Sequence, residues 1–124
     1  MTATDRELLV RIDDGIARVT LNRPQARNAL TFGMYEELAK LCAIAGTADD
    51  ADHIKAIVIA GAGDKAFAAG TDIGQFTTFG STEDGLRYEA KVEAVISQIE
   101  SCQVPVIAAL HGAVTGGGLV IAAA

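Results

Sequence analysis

Val104-Pro105-Val106-Ile107-Ala108-Ala109-Leu110-His111-Gly112-Ala113-Val114-Thr115-Gly116-Gly117-Gly118 runs from an apolar strand into a glycine turn. An apolar stretch with a helical reading follows the turn. Upstream, Ala56-Ile57-Val58-Ile59-Ala60 is a second apolar strand, and the turn Phe67-Ala68-Ala69-Gly70-Thr71-Asp72 comes after it. Glycine lets backbone approach a ligand closely, and a helix N-terminus presents N–H groups with no partner in the helix. Donors from two neighbouring strand ends can converge on one oxygen. Such a pair stabilises an oxyanion, often the largest single contribution in acyl chemistry.

Outward from these segments the chain alternates strand and helix. Leu8, Val10 and Ile12 alternate with Leu9 and Arg11, the period of a strand. Asp13-Asp14-Gly15 is a turn, and Ile16 to Leu21 a second strand, so the two predict an antiparallel hairpin. Leu30, Met34, Leu38 and Leu41 share one helical face, with Thr31 as N-cap and Gly46 as the stop. The continuous run Ala56–Ala60 predicts a strand buried on both faces, parallel and internal. The glycine-containing stretch Gly61 to Gly80 reads as a long functional loop. Tyr88, Val92, Val95, Ile96 and Ile99 make the next helical stripe, with Ser81 and Asp84 at capping-box spacing. Pro105 stands near the start of the strand Val104–Leu110, where a missing N–H is tolerated. The order predicts an α/β fold with crossover helices joining parallel strands.

The chain has 124 residues and is 50% hydrophobic, enough for one domain with a real core. Its mean hydropathy is +0.29. Trp is absent and aromatics are 5%, which predicts an aliphatic core. Net charge is −6, from 10 basic and 16 acidic residues, with no basic stripe. That composition argues against partnership with nucleic acid or an anionic membrane surface. Cys42 and Cys102 fall at apolar positions of helical patterns and read as free thiols, with a disulfide or a metal pair as the lesser reading. The N-terminus lacks the apolar core of a secretory signal, and no run reaches membrane-spanning length, so a cytoplasmic location is expected. Leu119-Val120-Ile121-Ala122-Ala123-Ala124 is apolar and uncapped. A helix that short has no independent stability, and the expectation is a fold truncated inside the helix after the glycine turn.

Three linked segments resemble the crotonase superfamily, the enoyl-CoA hydratase/isomerase family. Asn22-Arg23-Pro24-Gln25-Ala26-Arg27-Asn28-Ala29-Leu30 is similar to its NRP-x-x-x-NAL segment. Lys65-Ala66-Phe67-Ala68-Ala69-Gly70-Thr71-Asp72-Ile73 is similar to its KAFxAGxD loop. Pro105-Val106-Ile107-Ala108-Ala109-Leu110-His111-Gly112, followed by Gly116-Gly117-Gly118, is similar to its PVIAAxxG…GGG segment. Order and spacing agree as well. The resemblance implies a spiral of ββα units, one partial domain over 1–124, and assembly as a homotrimer or a dimer of trimers. It implies an acyl-CoA thioester as ligand, with no separate cofactor, since CoA is part of the substrate.

The resemblance also implies a site. The backbone N–H groups of Thr71 and Gly117 would form the oxyanion hole. Ala26, Arg27, Ala29, Ala68, Ala69, Gly70, Asp72, Ile73, Gly116 and Val120 would line the acyl-CoA, with Arg23, Arg27 and Lys65 facing its phosphates. Val120 departs from the family pattern, whose hydratases carry a catalytic Glu there. Hydration needs a group that activates water and moves a proton, which valine cannot do. The implied function is an enoyl-CoA hydratase/isomerase-type enzyme that stabilises a thioester enolate. A non-catalytic acyl-CoA-binding or assembly subunit is the alternative.

Other features have plainer readings. Asp72 reads as the N-cap of a short helix, and His111 as a histidine hydrogen-bonded to backbone. Gly61-Ala62-Gly63-Asp64-Lys65-Ala66 matches G-x-G-x-x-A after a strand, so a nucleotide-binding module is a third reading. That motif requires a helix directly after the turn, and no helical stripe follows. No metal cluster is visible.

Overall fold

The computed structural model of the chain describes residues 6–70 and 82–114. Strands β1 (Leu8–Asp13) and β2 (Ile16–Leu21) come first, then helix α1 (Phe32–Ile44) and β3 (Ala56–Gly61). β4 (Ala66–Ala68), α2 (Thr82–Glu100), β5 (Val106–Ala109) and β6 (Ala113–Val114) complete the order. One sheet runs β1-β2-β3-β5, and β4 pairs with β6 in a second.

The hairpin forms as the sequence predicts, with β1 antiparallel to β2 and Leu8 opposite Leu21. Asp14 at φ 54° and Gly15 at φ 78° make its turn. Successive positive φ values are what a two-residue hairpin turn needs to follow the strands' right-handed twist. β3 lies parallel to both β2 and β5, internal as its apolar run predicts. α1 and α2 are the crossovers, as α/β connections require.

Thr31 caps α1: its hydroxyl accepts from the Met34 N–H at 3.3 Å. Leu30, Met34 and Leu38 are buried, as the helical stripe predicts, together with Tyr35 and Cys42. At the other end Gly46 takes φ 79° directly after the C-cap, Ala45. α2 presents Val95 and Ile99 to the same core, with Val92 and Ile96 packed at its margin. Lys91 joins the two helices, pairing with Glu36 and lying over the Phe32 ring at 5.3 Å.

The fold departs from the sequence reading in several places. The core is aliphatic except at its largest fully buried side chains, Tyr35 and Phe67. Val10 and Ile12 of the edge strand β1 are 45% and 37% exposed, lining a groove shared with Leu41 and Ile44 of α1. Ile57 and Ile59 of β3 are buried, but Ala56, Val58 and Ala60 on its other face are half-buried. The stretch after Gly61 is not all loop. Ala66–Ala68 is a strand whose partner lies far along the chain, too short to show a period. The strand predicted over Val104–Leu110 is the shorter β5, since Pro105 offers no N–H to the ladder. Ser81 of the predicted capping box and the Asp72 cap lie outside the described residues.

The connection from α1 to β3 is held by Asp50, buried in a loop. Its carboxylate accepts from the Gly46 N–H at 2.9 Å, the Ile54 N–H at 2.8 Å and the Asp52 N–H at 3.1 Å. The Gly46 bond, ahead of those from Ile54 and Asp52, holds this carboxyl below the usual aspartate range, against the opposing effect of burial. A pKa lowered on folding adds stability above the unfolded carboxylate range, and that stability is lost as pH falls through the folded value. Asp50→Asn is therefore expected to melt lower than the parent chain at pH 7. The gap should close under acid, checked by thermal unfolding from pH 7 down to pH 2. A gap constant over that range would contradict this account of the loop.

Candidate functional site

The site begins at the end of β2. Pro24–Ala26 form a single 3-10 turn, Pro supplying the φ that its first position needs. Arg27 and Asn28 follow at φ 52° and φ 58°, two non-glycine residues in the left-handed region. That conformation is uncommon outside glycine, and asparagine tolerates it best. The reversal turns the Asn28 side chain inward, where it is 0% exposed.

Asn28 is the joint between two segments. Its Oδ1 accepts from the Arg23 N–H at 2.9 Å. Its Nδ2 donates to the carbonyls of Ala62 at 3.0 Å and Ala66 at 2.8 Å. Backbone bonds extend the join: the Ala69 N–H donates to the Arg27 carbonyl at 3.0 Å, and the Leu30 N–H to the Gly70 carbonyl at 2.7 Å. The sequence-predicted residues Ala26, Arg27 and Ala29 are thereby brought against Ala68, Ala69 and Gly70. Gly70, at φ 116°, ends this described stretch.

A third segment arrives from β5. The Ala66 residue bridges Gly112, which sits at φ 60°. A Cβ on Gly112 would overlap the Lys65 carbonyl, so glycine is required for this approach. Gly61 is as confined: a Cβ there would stand 2.5 Å from the carbonyl oxygens of Ala66 and Phe67. The His111 Nε2 lies 3.0 Å from the Gly63 carbonyl. A carbonyl can only accept, so Nε2 carries the proton here. This agrees with the reading of His111 as a backbone-bonded histidine.

Between these segments lies a cavity of about 180 Å³, lined by Pro24, Arg27, Asn28, Ala62, Gly63, Asp64, Lys65 and Ala66. Arg27 and Lys65 give it two cations against the one carboxylate of Asp64. With its apolar lining, it suits a ligand with an anionic end. Arg23, expected in the same basic strip, is placed elsewhere. Its Nε pairs with Glu7 at 3.2 Å and its Nη1 donates to the Ala29 carbonyl at 2.7 Å, so it braces the turn.

The third reading, a nucleotide-binding turn, fails on geometry. After Gly61-Ala62-Gly63 the chain enters β4, not the helix whose N-terminus would hold a pyrophosphate. Thr71, Asp72, Ile73, Gly116, Gly117 and Val120 lie outside the described residues. Sequence reading passed over Asn28 as a site residue. Its signal was a polar side chain within a segment of small and apolar residues. Among the described residues no group of three or more His, Cys, Asp or Glu side chains could hold a metal ion. No helix among them is long and apolar enough to cross a membrane.

Comparison with known proteins places this arrangement. A family model described as enoyl-CoA hydratase/isomerase matches residues 11–124. The chain is 38% identical over 113 residues to a probable enoyl-CoA hydratase of Bacillus subtilis, covering 91% of this chain and 42% of that protein. It is 32% identical over 118 residues to a peroxisomal Delta(3,5)-Delta(2,4)-dienoyl-CoA isomerase of Arabidopsis thaliana, covering 86% of this chain and 41% of that one. Among solved structures, an enoyl-CoA hydratase/carnithine racemase from Magnetospirillum magneticum superposes with a TM-score of 0.82 at 35% identity. That match covers 94% of this chain and 43% of the other. The chain spans about two fifths of the length of these relatives. The α/β architecture is thus the N-terminal portion of the crotonase-like fold, and the chain belongs to the enoyl-CoA hydratase/isomerase family.

Proposed function

We propose that this protein binds an acyl-CoA thioester and stabilises enolate character at its carbonyl. The observation that carries the reading is the Asn28 joint, which holds Ala26–Ala29 against Ala68–Gly70 and leaves Arg27 and Lys65 on one cavity. Arg27 and Lys65 would face the anionic part of CoA. Charge contacts at an exposed rim are modest, so they orient the ligand more than they hold it. Ala26, Ala29, Ala68, Ala69 and Gly70 present small side chains or none, leaving backbone near the ligand.

The acyl carbonyl would accept from the N–H groups of Thr71 and Gly117. As a base removes the α-proton, negative charge moves to that oxygen, and two fixed donors stabilise it more than they stabilise the ground state. Asp72, Ile73, Gly116 and Val120 would complete the lining. Val120 supplies no proton, so the acid or base is a different residue. An enolate can lead to hydration, double-bond migration or decarboxylation; in thioester hydrolysis the same donors would hold the oxyanion of a tetrahedral intermediate, which collapses with loss of the CoA thiolate. The second reading, a non-catalytic acyl-CoA-binding or assembly subunit, is favoured by Val120 alone. We place the protein in the cytoplasm, working as a homotrimer or a dimer of trimers. Sedimentation equilibrium checks the assembly.

Isothermal calorimetry tests the ligand. Crotonyl-CoA is expected to bind, and crotonic acid and NAD to give no heat of binding. NAD binding without acyl-CoA binding would remove the proposal. Turnover of any enoyl-CoA ester separates the enzyme from the subunit reading.

A further inference from the structure

The segment that carries Lys65 is pinned at both ends and in its middle. At its start the Ala62 N–H donates to the Leu21 carbonyl at 2.9 Å, and Asn28 Nδ2 donates to the Ala62 carbonyl at 3.0 Å. At its end Asn28 Nδ2 donates to the Ala66 carbonyl at 2.8 Å, and Ala66 bridges Gly112. Between these anchors Gly63 turns at φ 78°, against the Pro24 side chain. The middle tie arrives from the end of β5: His111 Nε2 donates to the Gly63 carbonyl at 3.0 Å. Gly63, Asp64 and Lys65 line the cavity, and His111, partly exposed, is not one of its lining residues. Any influence of His111 on a ligand therefore passes through Gly63.

We propose, on the acyl-CoA reading above, that His111 is a positioning residue for the anionic end of the ligand: its Nε2–H fixes the Gly63 carbonyl and so holds Asp64 and Lys65 on the cavity that Arg27 shares. A wall that is already ordered does not have to be ordered by the ligand, and that saving goes to affinity. The contact of a rim lysine with an anion is modest, so its worth depends on the lysine being held in place beforehand. The neutral Nε2–H imidazole and the imidazolium both keep this donor. A glutamine side chain also offers an N–H donor, and phenylalanine fills the ring's space without one. The thioester end of the ligand is served by other residues, so the effect of His111 falls on the phosphates.

The test applies calorimetry to the full chain with two ligands: crotonyl-CoA, and crotonyl-pantetheine, the same thioester without phosphates. Loss of one hydrogen bond in His111→Phe is expected to weaken crotonyl-CoA about three- to ten-fold. Crotonyl-pantetheine should bind the parent and His111→Phe alike, and His111→Gln should restore parent affinity for crotonyl-CoA. Without ligand, amide hydrogen exchange over residues 62–66 should quicken in His111→Phe and not in His111→Gln, with α1 and β2 unchanged. His111→Ala takes the place of His111→Phe if the larger ring does not pack. Equal weakening of both thioesters overturns the proposal, since a general loss of structure would do that. So does undiminished crotonyl-CoA binding in the variant without the donor, failure of His111→Gln to restore it, or unchanged exchange over 62–66. A parent chain that binds neither thioester removes the acyl-CoA reading and this proposal with it; a binding parent with an unaffected variant removes this proposal alone.

Discussion

Replacing Asn28 by alanine is expected to destabilise the chain by roughly 3–5 kcal/mol and to abolish measurable acyl-CoA binding. The side chain is fully buried and satisfies the Arg23 N–H and the carbonyls of Ala62 and Ala66. Each backbone group left unpaired in the interior costs about 1–3 kcal/mol. Alanine also tolerates φ 58° poorly, which adds about 1 kcal/mol. Asn28→Gly removes the second cost and keeps the first, so it should fall between parent and Asn28→Ala. Urea denaturation of the three proteins measures both differences. Equal stability of Asn28→Ala and parent would mean that water replaces the amide, and the joint would lose its role. Ligand binding by a folded Asn28→Ala protein would separate the cavity from this joint.

The second large effect concerns Val120. A positioned acid or base contributes about 10²–10⁴-fold to a proton-transfer step. The protein is therefore expected to hydrate crotonyl-CoA about 10²–10⁴-fold more slowly than a hydratase carrying glutamate at that position. It should still exchange the α-proton of an acyl-CoA in deuterated water, since the proposed oxyanion donors do not depend on Val120. Val120→Glu should raise hydration where a second acid or base is present. An unpaired buried carboxylate is costly, so that variant should also melt lower. Crotonyl-CoA turnover equal to that of a two-glutamate hydratase would overturn this reading of Val120.

Which features were legible in advance follows from how local their causes are. The hairpin was legible because Asp14-Gly15 supplies the positive φ values its turn requires, and the strands beside it alternate. α1 was legible because Thr31, a four-residue stripe and Gly46 are all short-range signals. β3 was legible as internal because a continuous apolar run of five residues is the pattern of a parallel strand with neighbours on both sides. The family was legible because three motifs keep their order, and matching motifs require no knowledge of contacts.

Other features depended on partners distant in sequence, which no local pattern encodes. β4 is a strand only because Ala113–Val114 lies beside it, and three residues carry no period of their own. Val10 and Ile12 alternate like buried residues, yet they stand on the edge strand and stay partly exposed. Arg23 and Arg27 look equivalent in sequence. The left-handed reversal sends Arg27 to the cavity, while Arg23 turns back to Glu7 and the Ala29 carbonyl. The sequence by itself determined the hairpin, the two helices, the strands β3 and β5, their α/β order and the family, because turn chemistry, capping and periodicity act over a few residues. Only the tertiary structure decided which side chains share a cavity and which residues of an edge strand stay exposed, because each depends on packing between segments that the chain brings together from afar.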